Sequence, residues 1–124
     1  MLAHLSIQCA DLDRGAAFYD AVLPPLGGGR IMEVAGDAIG YGVREAATFW
    51  IERQQTGDGF RETHIAFFAP SRSAVRAFVE AARATGAEVL HEPKVWPEYD
   101  PAYYGGFVRD PDGNNVEAVC HTPE

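Results

Sequence analysis

Residues 2–9 alternate between apolar and polar, with Leu5, Ile7 and Cys9 on one side and His4, Ser6 and Gln8 on the other. A period of two predicts a strand with one face turned to a core. Asp11 follows, a residue whose carboxylate caps free N–H groups at a helix start. Leu12, Ala16, Tyr19 and Leu23 then recur at spacings of four, three and four, the stripe of a helix. Pro24-Pro25 and Gly27-Gly28-Gly29 end it, and short strands are predicted near 30–35, 38–44 and 46–53.

Thr56-Gly57-Asp58-Gly59 breaks the periodicity within a boundary over 55–61, and the pattern then starts again. It predicts a strand over 63–69, a cap at Ser71 or Ser73, a helical stripe of Val75, Phe78, Val79 and Ala82, and a left-handed stop at Gly86. A strand over 87–91 follows. Residues 92–102 hold three prolines and no period, and are predicted as loop. Strands over 104–109 and 115–120 flank Asp110-Pro111-Asp112-Gly113, a tight turn in which Pro presets φ and Gly takes positive φ.

The chain thus reads as one unit written twice. His4-Leu5-Ser6-Ile7, Asp11 and Ala17-Phe18 return as His64-Ile65-Ala66-Phe67, Ser71 and Ala77-Phe78, each at an offset of 60. Helices cover the apolar face of a sheet. Period-two alternation then places His4, Ser6 and Gln8, His64, Ala66 and Phe68, and Asn115, Glu117 and Val119 on the faces away from the helices. Trp50 and Glu52 join them if Phe49 and Ile51 face inward. Should the two sheets curve toward a common cavity, two imidazoles and a carboxylate meet there, a donor set suited to Zn, Mn, Fe or Ni.

Composition narrows the partners. The 124 residues suffice for one domain and are 47% hydrophobic and 23% charged, ordinary for a soluble protein. A net charge of −8 with ten scattered basic residues argues against nucleic acid and anionic membranes. No apolar run is long enough to span a bilayer and the N-terminus lacks a signal-peptide pattern, so the expected location is cytoplasmic. Cys9 and Cys120 form no CxxC pair and are expected as buried thiols.

His4-Leu5-Ser6-Ile7 with Asp11-Leu12-Asp13-Arg14, Thr63-His64-Ile65-Ala66-Phe67, and the closing Phe107–Glu117 stretch around Asp110-Pro111-Asp112-Gly113 resemble the vicinal-oxygen-chelate (glyoxalase, bleomycin resistance protein, dioxygenase) superfamily. The resemblance spans nearly the whole chain. It implies an α+β fold in which two βαβββ modules, here 1–57 and 60–122 of one domain over 1–124, build a half-open eight-stranded barrel. It further implies one divalent metal ion held by His4, His64 and Glu117, which binds a small substrate through adjacent oxygens and stabilises an oxyanion or enediolate. A homodimer is implied as well, because members of the superfamily often complete the site with His4 from one chain and His64 plus Glu117 from the other.

Several branches are open. Glyoxalase-like lyases use a second carboxylate from the first module, for which Glu52 is the candidate unless Trp50 takes that place. Fosfomycin-type thiol transferases need only the three ligands; Trp50 resembles a Trp of that branch, and Lys94 or Arg109 would meet an anionic substrate. Extradiol dioxygenases fit poorly, since Phe107 stands at their Tyr position and no His lies between 92 and 106. The expectation is a glyoxalase-like lyase with Glu52 and Tyr104 catalytic, Tyr103 or Tyr104 orienting the substrate, and Trp50, Phe68, Tyr99, Tyr103 and Phe107 lining the pocket. The alternative is a non-catalytic protein of the bleomycin-resistance type that sequesters a planar ligand. His91 reads as a solvated strand end, with a pocket residue as the alternative, and His121 as surface.

Overall fold

The two halves fold alike. In the computed structural model, which describes residues 1–123, β1 (Leu5–Cys9), α1 (Leu12–Val22), β2 (Gly29–Val34), β3 (Ala38–Val43) and β4 (Ala46–Arg53) form the first unit. β5 (His64–Phe68), α2 (Arg72–Ala84), β6 (Val89–Val95), β7 (Tyr104–Arg109) and β8 (Asn115–Cys120) form the second. Each is a βαβββ unit with a four-stranded mixed sheet, in the orders β1-β4-β3-β2 and β5-β8-β7-β6. The first and last strands of each unit run parallel and the others antiparallel.

The caps explain where the helices start. Asp11 accepts from the Arg14 N–H at 3.1 Å and Ser71 from the Ala74 N–H at 3.1 Å. Gly86 takes φ +88 just beyond α2, the left-handed position that stops a helix. Val75, Phe78, Val79 and Ala82 of α2 are buried, as their spacing predicts. On α1 the buried face is wider than the Leu12–Leu23 stripe and takes in Phe18 and Val22. The aromatic cluster of Phe18, Tyr19, Tyr41 and Phe49 reaches Phe67 of the second unit, with the Phe49 and Phe67 rings 5.1 Å apart.

Two elements differ from the sequence reading: β1 begins at Leu5, not within residues 2–4, so His4 lies just ahead of it, and β6 is longer than expected. β6 runs on through Pro93 to Val95, where a loop was expected from residue 92. Proline is tolerated because β6 is an edge strand, where a missing N–H need not break a ladder, and the pairing with β7 shifts register twice around it.

Cys9 and Cys120 are free and buried, and burial together with Asp112 and Asp110 pushes the Cys9 thiol up to about 12. Neither thiol should react with a thiol-specific reagent in the native protein, and both should react after unfolding. Rapid native labelling of either would contradict this packing.

Candidate metal centre

Glu117 is the only buried carboxylate on a face turned away from the helices among the described residues; its side chain is 1% exposed. Parallel pairing of β5 with β8 sets Ala66 opposite Glu117 and His64 opposite Asn115, so His64 and Glu117 project from neighbouring strands on one face. His64 Nε2 lies 2.9 Å from Glu117 Oε2. The other carboxylate oxygen, Oε1, accepts from the Tyr103 hydroxyl. Burial first, and then the hydrogen bond to Glu117, push that hydroxyl up, which keeps it a donor. A glycine makes the approach possible: a Cβ at Gly105 would come within 3.0 Å of Oε1 and 3.2 Å of the Tyr103 ring.

Aromatic rings wall this half-site. Phe107 pairs with Glu117 across β7 and β8, and its ring packs against His64, His91 and Trp96. The Trp96 indole N–H donates to the Gly105 carbonyl at 3.0 Å, and Tyr99 stacks on it. Lys94 lies with its ammonium 4.0 Å from the Trp96 ring centre. Phe68, on the same face, is 79% exposed.

The other half-site lies on the first sheet. His4 is exposed just ahead of β1. Ser6 pairs with Trp50 and Gln8 with Glu52, and the Ser6 hydroxyl donates to Glu52. The Trp50 ring lies flat over Gly40, where a Cβ would meet it at 2.8 Å. The repeat offset of 60 makes Ser6 the counterpart of Ala66. Trp50, opposite Ser6, is therefore the first-unit counterpart of Glu117, opposite Ala66, and Glu52 lies two residues beyond that place.

The structure separates residues that the sequence grouped. Tyr104 faces α2, 9% exposed, with the Arg72 guanidinium 4.9 Å from its ring centre, on the side away from Glu117. Tyr103 is the tyrosine that reaches the carboxylate. Two further histidines join the half-site. His91 packs edge-on against Trp96 and Phe107, and His121 pairs with Asp100 at 2.8 Å and packs edge-on against the Tyr103 ring. His121 continues the 115–117–119 parity by one step, a signal present in the sequence; the partner of His91 depends on the bulged β6 register, which leaves no local mark.

Among the described residues, no group of three or more His, Cys, Asp or Glu side chains gathers in one chain as a metal site. The donors nonetheless fit a first-row divalent ion in kind, with a carboxylate beside an imidazole on one sheet and a further imidazole on the other. Beside His64 in the register, the Asn115 side-chain oxygen is buried without a hydrogen-bond partner, an unmet acceptor on the same face.

Residues 1–118 match the Glyoxalase/Bleomycin resistance protein/Dioxygenase superfamily. The chain belongs to that superfamily. Among solved structures it is similar to a glyoxalase/bleomycin resistance protein from Albidiferax ferrireducens T118, at 29% identity and TM-score 0.81, covering 94% of this chain and 95% of that one. A lactoylglutathione lyase from Agrobacterium tumefaciens shares the fold at 19% identity and TM-score 0.67, covering 96% and 91%. A superfamily domain from Frankia sp. EAN1pec does so at 20% identity and TM-score 0.73, covering 96% and 95%. No curated protein matches. Members of the glyoxalase superfamily typically bind a divalent metal and small molecules and are often dimeric. No helix among the described residues is long and apolar enough to cross a membrane.

Proposed function

We propose that this member of the superfamily is a divalent-metal-dependent enzyme, a glyoxalase-like lyase acting on a small substrate that presents two adjacent oxygens. Its centre would comprise His64 and Glu117 of one chain and His4 of a second copy in a homodimer. The observation that carries this reading is the pairing of a buried carboxylate with His64 Nε2 at 2.9 Å, beneath an aromatic wall. A buried carboxylate is costly unless it is compensated, and a cation does so most fully. When bound, the metal would supply Lewis-acid polarisation of the substrate oxygens.

The chain's own residues supply the rest. Phe107 and Phe68 on one sheet, Tyr99 in the loop between β6 and β7, and Trp50 on the other sheet would enclose the substrate and exclude water. Glu52, held by Ser6 on the first sheet's face, is the group that would take and return a substrate proton.

Trp50 favours a second reading, because it occupies the register place of Glu117 and leaves three ligands without a fourth. That arrangement suits a thiol transferase of the fosfomycin type, with Lys94 meeting an anionic substrate. Glu52→Gln separates the two. It should abolish lyase turnover on a 2-oxoaldehyde–glutathione adduct while metal is retained, and should leave thiol transfer to fosfomycin unchanged.

The direct test is metal content in protein purified without chelator or metal-affinity resin. About one ion per chain is expected, in keeping with a three-donor catalytic site, and His64→Ala and Glu117→Ala should each lose it. Metal-free protein that binds planar aromatic ligands tightly would instead identify a sequestering protein.

A further inference from the structure

The two oxygens of Glu117 are not equivalent. Oε2 faces His64 Nε2, whereas Oε1 accepts from the Tyr103 hydroxyl. The tyrosine is not free to leave. The Tyr103 carbonyl accepts from the Trp96 N–H at 2.8 Å, and the Tyr103 N–H donates to the Asp100 carbonyl at 3.0 Å. Asp100 is tied in turn by the Ala102 N–H at 2.7 Å and by His121 at 2.8 Å. The ring packs edge-on between His121 and Tyr99, each centre 5.1 Å away. Gly105 clears the space that the hydroxyl and Oε1 share. Two backbone hydrogen bonds, two ring contacts and the space left by a glycine describe a residue whose position is specified.

We infer that Tyr103 is a positioning residue of the centre: its hydroxyl claims Oε1 of Glu117 and restricts the carboxylate to ligation through Oε2. This rests on the metal-dependent reading above. The physical consequence is geometric. A carboxylate that keeps one oxygen on a fixed donor is a one-point ligand with a set direction, so more of the coordination sphere stays open to a substrate's two oxygens.

The experiment is a titration of metal-free protein with Co2+, followed by its visible absorption, for wild type, Tyr103→Phe and Gly105→Ala. Gly105→Ala crowds the same hydrogen bond from a different side, so the question survives if one variant misfolds; circular dichroism and thermal unfolding identify the folded ones. Partner groups that orient a metal ligand are typically worth about ten- to hundredfold in metal affinity. Each folded variant should therefore bind Co2+ about tenfold or more weakly, with a displaced visible band. A folded Tyr103→Phe protein with unchanged or tighter affinity and the wild-type band overturns the inference while leaving the metal reading intact. Wild-type protein that takes up no Co2+ overturns both.

Discussion

Refolded together, His4→Ala and His64→Ala chains are expected to recover the metal binding that neither retains alone. The reasoning starts from the faces of the sheets. His4 lies just ahead of the first sheet, His64 and Glu117 belong to the second, and no three donors gather within one chain among the described residues. Met32, Val34 and Phe68, all on the faces turned away from the helices, are each at least half exposed, which is unusual for large apolar side chains on a sheet. A second copy would cover them and bring a His4 toward each His64–Glu117 pair. A two-fold interface presents the same patches from both chains, so it creates two equivalent sites.

In a mixed dimer one site would then take His4 from the His64→Ala chain and the His64–Glu117 pair from the His4→Ala chain, and would be intact. The other would lack both imidazoles. Random re-pairing makes half the dimers mixed, so about a quarter of the wild-type metal should return, with activity in proportion. A site built within one chain predicts no recovery. Full metal retention in His4→Ala alone would remove His4 from the ligand set.

Much of this arrangement is legible in the sequence because the forces that set it are local. Caps at Asp11 and Ser71, the stripe on α2, the left-handed Gly86 and the Asp110–Gly113 turn follow from neighbours a few residues apart, and alternation along β5 and β8 places His64 and Glu117 on one face. The same alternation across 104–109 puts Tyr104 and Phe107 on opposite faces, so a pocket holding Phe107 excludes Tyr104, a constraint the sequence reading did not apply. What distinguishes Trp50 from Glu52 is the pairing of β1 with β4, set by strands more than 40 residues apart, and alternation alone is blind to it. The fate of Tyr103 is equally non-local. It depends on the Asp100–His121 pair and on Gly105 beneath it, partners that no periodicity announces.

The closing turn carries the largest expected effect on stability. Asp110 is 4% exposed and its carboxylate accepts four hydrogen bonds: the Tyr19 hydroxyl at 2.8 Å, the Asn114 amide side chain at 2.9 Å, and the backbone N–H groups of Asp112 at 3.0 Å and Asn114 at 2.9 Å. Tyr19 comes from α1, so this one carboxylate joins the first unit to the last hairpin of the second. Asp112 adds a second tie by accepting from the Ala10 N–H at 2.9 Å. Burial, then Asp110, pushes the Tyr19 hydroxyl well up, so it remains the donor throughout the ordinary pH range. Asp110→Ala strands a buried hydroxyl and three N–H donors, and losing one side of such a network costs about 3–5 kcal/mol. That is a large share of the 5–15 kcal/mol by which domains of roughly this size are folded. At fixed protein concentration the midpoint of thermal unfolding should fall by roughly 10–20 °C. Tyr19→Phe removes one donor and should cost only about 1–2 kcal/mol. Combined with Asp110→Ala it should cost almost nothing more, since its partner is already gone. An Asp110→Ala protein within about 1 kcal/mol of wild type, or fully additive effects in the double variant, would mean that the Tyr19–Asp110 contact does not hold the two units together.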